Sequence, residues 1–199
     1  MEIIGLSGCK KGKGRTELGL MLLENLRRKT GVLKGIVEEE LSELVTEDFQ
    51  IMRAEAPDIS PYLQSDAEGV VLLRSAPEDL KKTLDNAMSF FSDLDYLLVE
   101  NDELISALNP GLVIYVDEGE DVTDSCLRMK EQSDLIINYV ELHESSRLKD
   151  LDIEIPRQEI SCYRAQLISD LLGRGYGELG KMLDRKEIRV RRCQLGLFD

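Results

Sequence analysis

Apolar and polar positions alternate between two periods along most of this 199-residue chain. Met1–Leu6 is a short apolar run that predicts a buried strand, and Arg15–Lys29 carries apolar residues at helical spacing. Val32–Val37 predicts a second strand. Leu41–Glu68 breaks the regularity: it is acidic, holds Pro57 and Pro61, and predicts a partly helical excursion or a flap. Val70–Leu73 resumes as a strand, and Ser75-Ala-Pro-Glu78 reads as a capping box opening a helix. Leu80, Leu84, Ala87, Met88 and Phe91 then fall on one helical face.

Asp95–Glu100 predicts a central strand ending in a carboxylate. A short helix over Asn101–Leu108 stops at Asn109-Pro110. Leu112–Val116 and Leu135–Ile137 predict further strands, with a helix over Asp121–Gln132 between them. Strands alternating with helices predict an α/β fold with a doubly wound, mostly parallel sheet over residues 1–150. Residues 157–199 read differently. A helix over Cys162–Leu172, a Gly173-Arg-Gly175 turn, a helix over Tyr176–Leu183 and a strand over Ile188–Cys193 predict a small C-terminal helix-turn-helix-like module.

Charge sharpens this division. The chain carries a net −14, but residues 157–199 hold nine Lys/Arg against six Asp/Glu, net +3, leaving −17 for the rest. An acidic body disfavours nucleic acid as the main partner, and the tail is the one place where it could dock. No apolar run is long enough to span a membrane. The strand pattern over Met1–Leu6 leaves no signal-peptide pattern, so the expected compartment is the cytoplasm. Cys9, Cys126, Cys162 and Cys193 are widely spaced without a CxxC, and free thiols are expected.

Candidate chemistry concentrates between the first strand and the first helix. Gly5, Gly8, Gly12 and Gly14 punctuate a loop carrying Lys10, Lys11, Lys13 and Arg15. Strand, glycine-rich basic loop, helix is the context of a phosphate-binding loop. Glycines let backbone N–H groups approach a phosphate, and the helix adds its positive end. The segment Lys10-Lys-Gly-Lys-Gly-Arg-Thr16 aligns with the deviant pattern K-G-G-x-G-K-[ST]. Lys11 replaces a glycine, and Arg15 replaces the lysine that reaches the β/γ-phosphates. Arg keeps the charge in a bulkier, planar form.

Glu100, at the end of its strand, has the position of an acid that orders Mg²⁺. Asn138-Tyr-Val-Glu141 resembles the guanine-reading N-K-x-D motif, with Tyr139 for Lys and Glu141 for Asp. Asn138 would meet the N7/O6 edge and Glu141 would accept from N1–H and N2–H₂. His143, the single histidine, reads as a surface residue.

Residues 1 to about 142 resemble the SIMIBI class of P-loop proteins, the group containing ParA, MinD and MobB, and within it the MobB type (molybdopterin-guanine dinucleotide biosynthesis protein B). The resemblance lies in GLSGCKKGKGRTEL, AEGVVLLRS, DYLLVEN and NPGLVIYV. It implies GTP or ATP binding with Mg²⁺, slow hydrolysis, homodimerisation, and an accessory role beside a molybdenum cofactor enzyme. It assigns Lys10 and Arg15 as catalytic. Loop, motif and strand-end position together assign Gly8, Lys10, Gly12, Lys13, Gly14, Arg15, Thr16, Glu17, Asn138 and Glu141 to the nucleotide, and Thr16 and Glu100 to the metal. The alternative from another class is a degenerate P-loop protein serving as a scaffold, with its tail docking a protein or nucleic acid.

Overall fold

The computed structural model describes residues 1–9, 13–119 and 123–192, and of Lys13 only the backbone. Lys10, Lys11, Gly12 and Cys193 therefore lie outside the described residues.

Eight strands form one sheet. They are β1 (Glu2–Gly8), β2 (Thr30–Val37), β3 (Leu44–Thr46), β4 (Gly69–Ser75), β5 (Tyr96–Glu100), β6 (Leu112–Asp117), β7 (Leu135–Asn138) and β8 (Ile153–Glu154). Their order is β3-β4-β2-β5-β1-β6-β7-β8. The six inner strands are parallel, and the short edge strands β3 and β8 run antiparallel to their neighbours. Short edges of two or three residues offer little template for pairing with another chain. Parallel strands need helical crossovers, which cover both faces and explain the apolar runs in β1, β2, β4 and β5.

Helices α1 (Lys13–Leu26) and α2 (Phe49–Glu55) lie on one face. Helices α3 (Leu80–Met88), α4 (Asp102–Leu108) and α5 (Asp124–Gln132) lie on the other. On the first face, Leu18 and Leu22 pack with Ile4, Leu6, Val32 and Leu98. On the second, Leu84 and Ala87 of α3 and Leu104 and Ile105 of α4 pack with Leu33, Val71 and Leu97. The doubly wound sheet is thus as the periodicity predicts.

The C-terminal helices α6 (Tyr139–Glu144), α7 (Cys162–Leu172) and α8 (Tyr176–Arg185) join the first face. Leu167, Ile168, Leu171 and Leu172 share the cluster that holds Leu18 and Leu22. Arg164 meets buried Asp134 at 2.9 Å, and Asp134 in turn accepts from the Val113 N–H. Gly173 ends α7 in the left-handed region, at φ 64°, as the turn reading requires. Strand β10 (Arg189–Arg191) pairs with β9 (Glu159–Ser161), outside the main sheet.

Some local expectations are corrected. Helix α1 closes at Leu26, three residues early, because Arg27 turns to φ 45°. The Ser75 hydroxyl does not cap a helix. It donates to the Ala76 carbonyl and lies 3.2 Å from the Thr83 hydroxyl, while a 3₁₀ turn over Pro77–Asp79 leads into α3. The irregular segment 41–68 is docked on the sheet, with Met52, Ile59 and Tyr62 buried. Free thiols at Cys9 and Cys126 are overturned too: the two form a disulfide with Cα atoms 5.1 Å apart, while Cys162 is free.

Candidate functional site

The connection leaving β1 leads to β2 on one side, and the connection leaving β5 passes over β1 to β6 on the other. Such a divergence opens a crevice at the carboxyl ends of the strands, where ligands of doubly wound sheets bind. Gly8 ends β1 there, and α1 begins five residues later.

Gly14 and, less tightly, Gly8 are held in close approach to their neighbours. A Cβ at Gly14 would lie 2.7 Å from Val116 Cγ1 and 2.8 Å from the Tyr139 ring, so glycine lets the first turn of α1 seat against β6 and α6. A Cβ at Gly8 would lie 3.1 Å from the Val116 carbonyl oxygen and 3.5 Å from Arg15 Cγ. The Arg15 stem therefore folds back over the end of β1. Its charge reaches the edge of the sheet, where it opposes pKa shifts at three groups. Burial raises the Asp102 carboxyl, the Tyr115 phenol and, most strongly, the Tyr62 phenol, and the Arg15 charge counters each. The fully buried Ser7 hydroxyl donates to Asp102 at 2.7 Å and also favours its ionised form.

Glu100 is 3% exposed. Its Oε2 accepts from Lys34 Nζ at 2.7 Å, and its Oε1 accepts from the Tyr62 hydroxyl at 2.5 Å. Lys34 comes from β2, in register with Glu100 of β5. Its ammonium also meets Asp58 at 2.9 Å. Both Glu100 oxygens thus already have donors, one of them cationic. This donor set does not fit a direct Glu100–Mg²⁺ bond, since the metal would have to displace the ammonium. Among the described residues, no three His, Cys, Asp or Glu gather as a metal cage.

An open cleft of about 650 Å³ lies over this network. Arg15, Lys34, Glu100 and Asn101 line it from the sheet edge, and Glu55, Pro57, Asp58 and Arg74 from the far wall. Asn101 sits at φ 156°, ψ 134° and caps α4 by accepting from the Leu104 N–H. That backbone is strained for a residue with a Cβ, and such strain gathers at functional sites.

The other assigned residues fall elsewhere. Thr16 is half-buried on the first turn of α1. Glu17 turns away to His143 Nδ1, 3.0 Å distant, and the His143 ring stacks on Tyr139. Asn138 Oδ1 accepts from the Val140 and Glu141 N–H groups, capping α6, and Glu141 is exposed in its first turn. The structure therefore brings Arg15 and Glu100 to one cleft. Asn138 and Glu141 stand at the end of β7, two strands from β1 and on the opposite side of it from β5.

Ser7, Lys34, Asp58, Tyr62 and Asp102 were missed from the sequence. Lys34 did leave a signal, as the one charge in the apolar run Val32–Val37 of a central strand. Tyr62 left none, because its role depends on a notch in α1. A Cβ at Gly19 would lie 1.9 Å from the Tyr62 hydroxyl and 2.8 Å from its ring. Gly19→Ala is expected to destabilise the fold by about 1–3 kcal/mol, the usual range for overpacking, despite alanine's helix propensity. Urea unfolding checks this, and a variant as stable as the parent would show that Tyr62 does not need the notch.

Fold and site together define a doubly wound α/β protein with its polar machinery at the carboxyl edge of the sheet. No family model matches the chain, and no curated protein matches it. Among solved structures it is similar to the MinD cell division protein of Aquifex aeolicus, at 19% identity and a TM-score of 0.34. That match covers 66% of this chain, which spans 61% of the length of the MinD chain. It is also similar to the MinC:MinD cell division protein complex of Aquifex aeolicus, at 16% identity and a TM-score of 0.38, over 87% of this chain and 78% of that one. The sheet order, and not these likenesses, defines the class.

Proposed function

We propose that this protein binds a nucleotide through its phosphates, at the cleft beside the start of α1. The observation that carries the reading is Arg15, whose stem crosses Gly8 at the end of β1 and which lines a cleft shared with Lys34. A strand end, a helix start and a cation at one crevice suit an anionic ligand. Asn138 and Glu141 stand two strand spacings, roughly 10 Å, from β1, a span suited to a base whose phosphates lie on the loop. With Asn138 Oδ1 engaged in the cap, its Nδ2 amide would donate to the purine N7/O6 edge.

The finer reading is GTP rather than ATP, slow hydrolysis, a homodimer, and an accessory role in molybdopterin-guanine dinucleotide synthesis. Its support is the sequence resemblance to MobB. Lys10, Gly12 and Lys13 complete the proposed phosphate cradle. No described helix is long and apolar enough to cross a membrane. Glu178, Lys181, Asp184 and Arg185 of α8 are exposed with mixed signs, which disfavours nucleic acid as the ligand of the tail.

GTP or ATP at 100 times its dissociation constant is expected to stabilise the protein by about 2.7 kcal/mol, visible in a melting curve. Arg15→Ala removes a charge-assisted donor and is expected to weaken binding by about 1.5–3 kcal/mol, roughly ten- to a hundredfold by calorimetric titration. Unchanged or tighter binding by Arg15→Ala would favour the degenerate scaffold.

A further inference from the structure

We propose that the Lys34 ammonium takes the place of a divalent cation in this site, and that a ligand phosphate replaces Asp58 as its outer partner. The inference rests on the nucleotide-binding reading above. Lys34 Nζ holds two carboxylates of opposite character. Glu100, 2.7 Å away, has a side chain only 3% exposed; Asp58, 2.9 Å away, has one 68% exposed. The inner partner is fixed by burial and by the Tyr62 hydroxyl on its other oxygen. The outer partner is exchangeable, because its carboxylate stands largely in water and is not held by burial.

The position of the ammonium is the chemical point. An acid at the end of the strand beside β1 has the place of a metal-ordering group, yet here it orders a lysine. A lysine is a compact point charge with three donors, so it can hold Glu100, a second anion and a further acceptor at once. Asp58 marks where that second anion sits. Its carboxylate comes from the 3₁₀ turn over Pro57–Ile59, on the far wall of the cleft. Arg74 is engaged on that wall by Glu55 and by the Ser42 carbonyl and hydroxyl. Lys34, Arg15 and Arg74 share the cleft with Glu38, Glu55, Asp58 and Glu100. With its charges so nearly balanced, a phosphate enters by exchange with a carboxylate rather than by filling an unbalanced positive site.

The test is calorimetric titration of the full-length protein with GTP and with ATP, each in excess EDTA and in excess Mg²⁺. The expected result is binding in EDTA, with affinity within about tenfold of that in Mg²⁺. Asp58→Asn, a change at an exposed side chain, is expected to tighten metal-free binding by about fivefold or more, because it removes a competing carboxylate whose own end of the pair stands in water. Glu100→Gln keeps an acceptor for Tyr62, leaves Lys34 with less counter-charge, and is also expected to tighten metal-free binding. Binding that appears only with Mg²⁺, or that Glu100→Gln abolishes only in Mg²⁺, would overturn the inference and leave nucleotide binding standing. Looser binding by Asp58→Asn would overturn the exchange. No binding of either nucleotide in either condition would overturn nucleotide binding itself, and the inference with it.

Discussion

Lys34→Met is expected to lower the unfolding free energy by about 3–5 kcal/mol, the range for removing one partner of a buried ion pair. The magnitude follows from what is left behind. Glu100 is 3% exposed, and without the ammonium its charge keeps only the neutral Tyr62 hydroxyl as a donor. Asp58 cannot compensate, being an anion itself. Methionine matches the lysine stem in length, so the loss reports the charge rather than a cavity. The double variant Lys34→Met/Glu100→Gln should recover most of the stability. It removes both charges and keeps an acceptor for Tyr62, and a pair replaced by neutral groups is often close to neutral in cost. Denaturant unfolding of the parent, the two single variants and the double variant gives the coupling directly. A Lys34→Met cost below about 1 kcal/mol would mean that water reaches Glu100 in solution.

The same lysine shows what the sequence did and did not reveal. The strand–loop–helix unit was legible because apolar β1, the glycine punctuation and the helical spacing of Leu18, Leu22 and Leu26 are local signals. The order of the central strands was not, since register between β2 and β5 is a tertiary choice. Without it, Glu100 reads as an acid awaiting a metal, and Lys34 as a charge with no partner in sight. The docked segment 44–64 hid Tyr62 and Asp58 for the same reason. Tyr62 is buried only because Gly19 leaves room for it in α1. The Ser75 capping box failed on competition: its buried hydroxyl found the Ala76 carbonyl and Thr83 instead of a helix N–H. Asn138 was legible as the end of β7, but its role as the cap of α6 required that the chain turn straight into a helix at Tyr139.

The disulfide was illegible for the plainest reason: Cys9 and Cys126 are 117 residues apart, and spacing alone cannot pair them. That separation sets the second large expectation. Closing a loop of about 100 residues is worth about 4.7 kcal/mol in the chain-entropy treatment, and measured bridges typically give about 2–4 kcal/mol. Reduction of the parent, or Cys126→Ser without reductant, is therefore expected to cost about 2–4 kcal/mol of unfolding free energy. Reductant should add no further loss to Cys126→Ser. Cys162→Ser should leave the reductant effect intact, because Cys162 is free. Equal denaturation midpoints with and without reductant would sink the expectation. The bond joins the residue after Gly8 to α5 on the opposite face from α1. Its loss therefore falls on the connection that carries the phosphate-binding reading, not on a remote edge. In a compartment that keeps thiols reduced the bond would be open, and nucleotide titrations run with and without reductant then measure how far a tethered Cys9 organises the start of the loop.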